Sequence, residues 1–145
     1  MTTTKTTATP AAVQAANARI DTAIDALLAL RNLAAELPDI ADDIVPGRYR
    51  STRINVYVGN AKYTPPEHRI DVPARIAEVA YAAARHGATL RTNSDPDYGG
   101  VLATFGPFEM YIYAPLDQVG TSTVREVTEW QMDPRLAAFG TEAAR

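Results

Sequence analysis

The stretch VLATFGPFEMYIY, residues 101–113, decides the fold because it contains a complete β-hairpin. If Gly106 and Pro107 form a two-residue turn, Phe105 faces Phe108. In the same register Ala103 faces Met110, and Val101 faces Ile112. One face of the hairpin then carries six apolar residues: Val101, Ala103, Phe105, Phe108, Met110 and Ile112. The other face carries Leu102, Thr104, Glu109, Tyr111 and Tyr113. Because the turn residues, the alternation and the register agree, the stretch predicts two antiparallel strands with one buried face.

The segment before the hairpin, RTNSDPDYGG (91–100), has oxygen-bearing side chains at alternate positions, as a cation-binding loop does. A helix-loop-helix calcium site, however, needs Gly at its sixth position and Glu at its twelfth. Counted from Asn93, these positions hold Tyr98 and Thr104. A proline between two aspartates, followed by two glycines, is instead typical of a turn. We predict a turn between two strands.

Three further elements are predicted upstream. Residues 51–59, STRINVYVG, alternate between apolar and polar side chains, which predicts a half-buried strand. Residues 71–87, DVPARIAEVAYAAARHG, begin at a potential capping residue, Asp71, and end at Gly87. The apolar stripe between them predicts a helix. Residues 88–93, ATLRTN, predict a short strand.

The N-terminal region predicts one long helix over 10–37. Thr9 and Pro10 are typical of an N-cap followed by a first-turn proline, and neither Gly nor Pro follows until Pro38. Such a helix would be about 40 Å long and would extend beyond a body of this size. The first half of its heptad stripe contains Val13, Ala16, Ile20, Ala23 and Leu27. The stripe could pack on the sheet, but its alanines bury little area, which makes oligomerisation through these five residues a competing interpretation.

Together these elements predict an α+β fold. We expect a mainly antiparallel sheet of four or five strands, with a long N-terminal helix and a second helix between the first two strands. Residues 121–132 favour a fifth strand, although Thr123 and Glu126 are spaced as a helix capping box. A single domain is expected over 10–140, between a flexible Thr-rich tail (1–9) and a frayed C-terminus (141–145).

The composition narrows the classes of function. The formal net charge is −3, whereas a protein that coats nucleic acid is expected to be basic. The absence of cysteine excludes disulfides, thiolate catalysis and thiolate metal sites. No catalytic or phosphate-binding motif such as G-x-S-x-G or G-x-x-x-x-G-K-[ST] occurs.

The chain also lacks the marks of a membrane or secreted protein. No segment approaches the roughly 20 apolar residues of a membrane-spanning helix, and MTTTKTTATP has no apolar signal region. A cytoplasmic location is therefore expected. Twelve Arg against two Lys, with abundant Ala, are typical of a GC-rich genome such as that of an actinobacterium or one of its phages.

Tyrosine and arginine collect on the polar face of the predicted sheet, next to an arginine-rich loop. The candidate binding residues are Arg48, Tyr49, Arg50, Arg53, Tyr57, Arg91, Tyr111 and Tyr113. Tyr and Arg are favoured in binding hot spots, and aromatic residues on an open sheet stack RNA bases in some modules. Alternatively, a helix or the C-terminal segment covers this face, and the loop arginines pair with Asp39, Asp42 and Asp43.

The sequence gives little indication of catalysis or of metal binding. Glu67, His68 and Asp71 form the one acid–base group that is close in sequence. His86 lies apart from His68, in the last turn of a predicted helix, where a positive charge suits the helix dipole. Two histidines in separate contexts do not make a metal site, so neither a metal nor a cofactor is expected.

The sequence therefore favours a non-catalytic binding or assembly protein that self-associates through its N-terminal helix and binds another protein. The first alternative is a nucleic-acid-binding accessory protein that uses residues 48–53 and the Tyr/Arg face. The second alternative is an enzyme of unknown class.

Overall fold

A four-stranded sheet forms the centre of the fold. The computed structural model describes residues 9–47, 51–124 and 128–140. Across the sheet lie β1 (Arg53–Tyr57), β4 (Phe108–Pro115), β3 (Tyr98–Phe105) and β2 (Thr89–Ser94), in that order. β1 runs parallel to β4, and the other neighbouring strands are antiparallel. The predicted α+β class with a mainly antiparallel sheet is confirmed.

The predicted hairpin is present in the predicted register. Phe105 pairs with Phe108, Ala103 with Met110 and Val101 with Ile112. All but Phe108 of the six apolar residues on this face are buried, and Phe108 is half-buried. The turn needs Gly106, whose φ of +51° is a left-handed conformation that other residues rarely adopt.

The helix α2 (Val72–Arg85) lies between β1 and β2 in the chain, as predicted. Asp71 caps it by accepting a hydrogen bond from the backbone N–H of Ala74 at 3.2 Å. The predicted stripe is buried in the core, beneath the sheet residues that alternate inward. Its members are Val72, Ile76, Val79, Ala80 and Ala83.

The N-terminal helix α1 spans Pro10–Glu36, and Leu37 is its C-cap rather than its last helical residue. Thr9 caps it by accepting from the Ala12 N–H at 3.2 Å. The buried residues of α1 are Ala26, Leu30 and Leu33. The predicted heptad stripe coincides with this buried face only in part. Leu27, which belongs to the stripe, is exposed, whereas Ala26 and Leu33, which lie outside it, are buried.

The connections contain short 3-10 helices where the sequence predicted only loops. One covers Pro38–Asp43 and the other covers Pro66–His68. The first buries Ile40, and the Ile44 that follows it is also in the core. The chain between α1 and β1 is therefore held against the body by two apolar side chains.

The C-terminal region forms a separate small sheet instead of a fifth strand of the main one. After the one-turn helix α3 (Leu116–Val119), β5 (Gly120–Val124) pairs antiparallel with β6 (Thr128–Met132). The strand character expected for residues 121–132 is correct, but the segment folds back on itself. The short helix α4 (Pro134–Ala137) follows and buries Leu136.

No helix in the ranges that the structure describes is both long enough and apolar enough to cross a membrane.

Candidate functional site

The polar face of the sheet brings the sequence-predicted Tyr and Arg residues together. The register aligns Arg53 with Glu109, Asn55 with Tyr111, and Tyr57 with Tyr113 between β1 and β4. β3 and β2 extend these rows, so that Leu102 and Arg91 continue the Tyr111 row. We call the set formed by Arg53, Tyr57, Arg91, Tyr98, Tyr111 and Tyr113 the tyrosine face.

Tyr111 forms the floor of the tyrosine face and is itself buried, with 4% of its surface exposed. The Arg53 guanidinium lies over its ring, 5.0 Å from the ring centroid, in a cation–π arrangement. Its hydroxyl donates to the Asn93 carbonyl at 3.4 Å, a long and therefore weak hydrogen bond. Tyr111 thus supports the surface, and a ligand would meet its neighbours.

Tyr113 is the centre of an aromatic cluster. Its ring centroid lies 5.5 Å from that of Tyr57 and 5.4 Å from that of Tyr98, both in edge-to-face geometry. Tyr57 and Tyr98 are 44% and 40% exposed. Across the strand pair, Tyr113 faces Gly100, where an added Cβ would lie 1.9 Å from the Ile112 carbonyl oxygen. Because position 100 must be glycine, no side chain separates Tyr113 from the next strand.

A cleft of about 380 Å³ opens beside this cluster. Arg53, Asn55 and the tyrosines Tyr98, Tyr111 and Tyr113 form one part of its wall. The other part is the turn between β2 and β3, which contributes Asn93, Ser94 and Asp95. The prediction of a turn here is confirmed, since Asp95 accepts from the N–H groups of Asp97 and Tyr98 at 2.9 and 2.7 Å.

Sequence reasoning missed Tyr98 and the turn residues as part of this surface. Tyr98 lies two and four residues before Gly100 and Leu102, so strand alternation places it on the same face. That signal was present in the sequence. The approach of Asn93, Ser94 and Asp95 to the opposite edge strand, by contrast, depends on the strand order.

Burial favours the protonated, uncharged form of two tyrosine hydroxyls on this face. It raises the pKa of Tyr111 to about 12, with a further contribution from the nearby Asp95 carboxylate. Burial also raises the pKa of Tyr113, helped by Tyr98 and Tyr57. Both hydroxyls therefore remain protonated at neutral pH. In the cleft they can donate and accept hydrogen bonds but cannot act as bases.

Two carboxylates, Glu109 and Asp95, lie on the same surface as the two arginines of the tyrosine face. Arg91 lies 3.8 Å from Glu109, and Arg53 faces a cleft that Asp95 also lines. A phosphate-binding surface would be expected to carry an excess of cations. The cleft is better suited to a ligand held by aromatic contact and amide hydrogen bonds.

The arginine-rich loop is described only in part. Arg48, Tyr49 and Arg50 lie outside the described residues, while Arg53 is an exposed residue at the start of β1. Asp39, considered above as a partner for these arginines, pairs with Arg75 of α2. That pairing joins the Pro38–Asp43 segment to α2.

Of the three residues in the enzyme alternative, Asp71 stabilises the fold and the other two are exposed. Asp71 caps α2 and also accepts from Arg135 at 2.7 Å. The pKa of Asp71 is lowered by the Arg135 guanidinium and by the Ala74 N–H. Glu67 and His68 lie in the exposed Pro66–His68 helix. In the part of the chain that the structure describes, no three His, Asp or Glu residues are grouped as metal ligands.

A second candidate surface lies on α1. Five large aliphatic side chains of this helix are between 44% and 55% exposed. They are Val13, Ile20, Ile24, Leu27 and Leu28, and we call them the aliphatic stripe. Ala16 and Ala23, predicted with Val13, Ile20 and Leu27 to form an oligomerisation surface, are half-buried beside it.

Comparison of the chain with protein family models, with curated proteins and with solved structures finds no match.

Proposed function

We propose that this chain is a non-catalytic binding or assembly protein that self-associates through its N-terminal helix, α1. The observation that carries the proposal is the aliphatic stripe. Its five residues lie within an arc of about 100° on the helix, at 100° per residue. The stripe is therefore continuous and directed to one side.

The stripe lies away from the part of α1 that packs on the body. Ala26, Leu30 and Leu33 point about 130° around the helix from the centre of the stripe. The core therefore cannot also take up the stripe. Fully burying an aliphatic side chain of this size is worth about 1.5–3 kcal/mol relative to leaving it exposed. Five such side chains on one arc give a strong driving force for association.

Helix stability gives a second reason. Helical segments of about 15 residues are marginal in water unless they pack against something. Residues 10–25 of α1 contain no buried side chain. Association would give this part of the helix a buried apolar contact, which none of its side chains has among the described residues.

The experiment is the solution mass of the full-length protein and of a charged variant, measured by light scattering after size exclusion. Ile20→Glu places a carboxylate in the middle of the stripe, so the mass should fall to the monomer value of 15.7 kDa. Gln14→Glu adds the same charge about 120° around the helix from Ile20 and should keep the multimer. A monomeric unsubstituted protein, or equal masses for both variants, would refute self-association through the stripe.

The tyrosine face supports a second candidate function, the binding of a partner in the cleft between β1 and the β2–β3 turn. The specific observation is that Tyr57 and Tyr98 remain about two-fifths exposed while their rings are held by Tyr113. Rigid, exposed tyrosines next to an arginine are typical of binding hot spots. The partner is another protein or, as the alternative, a single-stranded nucleic acid.

Salt dependence separates these two partners. Fluorescence anisotropy with a labelled mixed-sequence oligonucleotide, at about 50 and 200 mM salt, measures phosphate neutralisation directly. A nucleic-acid-binding protein should lose affinity steeply with salt and on Arg53→Ala, but not on Arg31→Ala. Arg31→Ala is the matched control because it removes an equal charge from α1. No binding at either salt concentration would leave a protein as the partner of this face.

A further inference from the structure

Each wall of the cleft in the tyrosine face carries one amide and one charge. Asn55 and Arg53 lie two residues apart on β1 and line one wall. Asn93, near the end of β2, and Asp95, in the turn after it, line the other wall. The two charges have opposite signs. A molecule that spans the cleft therefore meets a cation at one end and an anion at the other.

Neither charge has an ion-pair partner among the described residues. The Arg53 guanidinium lies over the Tyr111 ring, and no carboxylate in the described ranges lies at ion-pair distance from it. Asp95 accepts from the backbone N–H groups of Asp97 and Tyr98, and both hydrogen bonds end on its Oδ1. Its Oδ2 accepts none in the same ranges. The cleft is therefore complementary to a ligand that brings a carboxylate to Arg53 and a cation to Asp95.

The two asparagines are suited to a polypeptide backbone. Within the described part of the chain, the side-chain amides of Asn55 and Asn93 make no hydrogen bond. Each amide has a C=O acceptor and an NH₂ donor in one plane. An extended peptide presents an N–H and a C=O along one edge, so a single asparagine can bond both. The amides therefore favour a ligand that is itself a chain of amides.

The spacing of the two walls sets the length of such a ligand. β1 and β2 are three strand spacings apart in the order β1-β4-β3-β2, which is about 14 Å. The register places Asn93 in the row of Tyr57, two residues and about 7 Å beyond Asn55 along the strands. The Cα atoms of Asn55 and Asn93 are therefore about 16 Å apart, a distance that an extended chain covers in about five residues.

We infer that the partner of the cleft is an extended segment of another protein, about five residues long, with an acidic side chain towards Arg53 and a basic side chain towards Asp95. This inference rests on the proposed binding of a partner in the cleft and adds the chemistry of the bound segment. The exposed rings of Tyr57 and Tyr98 contact the residues between its charged ends. A single-stranded nucleic acid has like charges along its length and would bring a phosphate towards Asp95, which is unfavourable.

Selection of phage-displayed random peptides, each about seven residues long, on the full-length protein tests this inference. The enriched peptides should carry an acidic and a basic residue about four to six positions apart, which matches the span between the walls. The most enriched peptide is then synthesised with a fluorescent label, and anisotropy measures its Kd for the natural protein and three variants. Arg53→Gln and Asp95→Asn each remove one charge of the cleft, and the asparagine keeps an oxygen that can cap the turn. Arg31→Gln is the matched control, because it removes an exposed charge from α1.

Arg53→Gln and Asp95→Asn should each raise the Kd about tenfold, because each removes a charge-assisted hydrogen bond, and Arg31→Gln should leave it unchanged. Replacing the acidic residue of the peptide by its amide should weaken binding to the natural protein by the same factor. It should not weaken binding to Arg53→Gln further, because the two groups act as a pair.

Two results would overturn the inference and differ in what they leave standing. Enriched peptides that lack an acid–base pair, yet bind more weakly to Tyr98→Ala, would refute the charge pattern and keep the cleft as a protein-binding site. No enriched peptide would refute the extended segment itself. Salt-dependent binding of the labelled oligonucleotide would then assign the cleft to nucleic acid, and its absence would refute the cleft as a binding site.

Discussion

The two halves of α1 differ in their surroundings. The C-terminal half buries Ala26, Leu30 and Leu33 against the sheet and is joined to α2 by Glu36, which pairs with Arg85 and His86. The N-terminal half carries Val13 and Ile20 at 45% and 55% exposure. Both halves are rich in Ala, although all four Leu residues of the helix lie in its C-terminal half.

The difference shows that one helix can serve two purposes. The C-terminal half is part of the core and is present for stability. The N-terminal half, residues 10–25, contributes no buried side chain to the core of the described residues, yet it carries large aliphatic residues on one arc. An exposed apolar surface of this kind on a protein normally marks a site of interaction. The comparison can be tested by changes that act on one half and spare the other.

Deletions should give the largest contrast. Removing residues 1–25 takes away Val13, Ile20 and Ile24, three of the five residues of the aliphatic stripe, and none of the buried residues of α1. The product should be a folded monomer by light scattering and circular dichroism. Removing residues 1–37 also takes Leu30, Leu33 and Leu37 from the core, and this product should be unfolded. A folded product of the longer deletion would mean that α1 is not part of the core.

The same substitution on the aliphatic stripe and on the buried face of α1 should have unequal effects on stability. Leu33 is fully buried and Leu27 is 44% exposed. Leu33→Ala should lower the free energy of unfolding by about 2–5 kcal/mol, because it leaves a cavity in the core. Leu27→Ala should change it by less than about 0.5 kcal/mol in dilute monomer, as is usual at the surface. Urea unfolding at low protein concentration measures both, and equal losses would contradict the assignment of the two faces.

Self-association through the N-terminal half should make the melting temperature depend on protein concentration. Binding between folded chains stabilises them by mass action, so Tm should rise by at least about 3 °C over a hundredfold increase in concentration. The Ile20→Glu variant should show a constant Tm over the same range. A constant Tm for both proteins would show that the stripe makes no stabilising contact.

The smallest expected effect is the pH dependence of the ion pairs that hold the C-terminal half. Hydrogen bonds from Arg85 and then His86 lower the pKa of Glu36. A carboxylate whose pKa is lowered by folding adds stability above its unfolded pKa, and that stability is lost as pH falls through the folded value.

Urea midpoints of the natural protein and Glu36→Gln test this contribution. The natural protein should be slightly more stable at pH 7, and the difference should shrink as the pH falls below about 4.3, the ordinary value for Glu. Gln14→Glu, in the other half of the helix, should not change this pH dependence. A Glu36→Gln difference that grows towards acid would show that these pairs do not stabilise the folded state.

Much of the local structure could be predicted because it depends on neighbouring residues. The hairpin register follows from Gly106–Pro107 and the alternation on either side. The caps Thr9 and Asp71 act within one turn of their helices. These interactions span few residues, so the sequence itself contains both partners.

The sequence predicts which residues share the tyrosine face, but it does not predict how they pack or which other residues form the cleft. Alternation places Arg53, Tyr57, Tyr111 and Tyr113 on one side of their strands. That Tyr111 is buried beneath Arg53, and that the β2–β3 turn forms the opposite wall of the cleft, depends on the order β1-β4-β3-β2. Strand order involves residues 56 positions apart in sequence, as in the pairing of Arg53 with Glu109.

The sequence by itself therefore determined the elements: two capped helices, an exact hairpin register and strands with one apolar face. Only the tertiary structure decided that β1 is parallel to β4, that β5 and β6 form their own sheet, and that Ala26 and Leu33 rather than Leu27 enter the core. The physical reason is that an Ala- and Leu-rich helix offers several apolar arcs of similar hydrophobicity. The shape of the sheet against which α1 packs selects one arc and leaves the aliphatic stripe exposed.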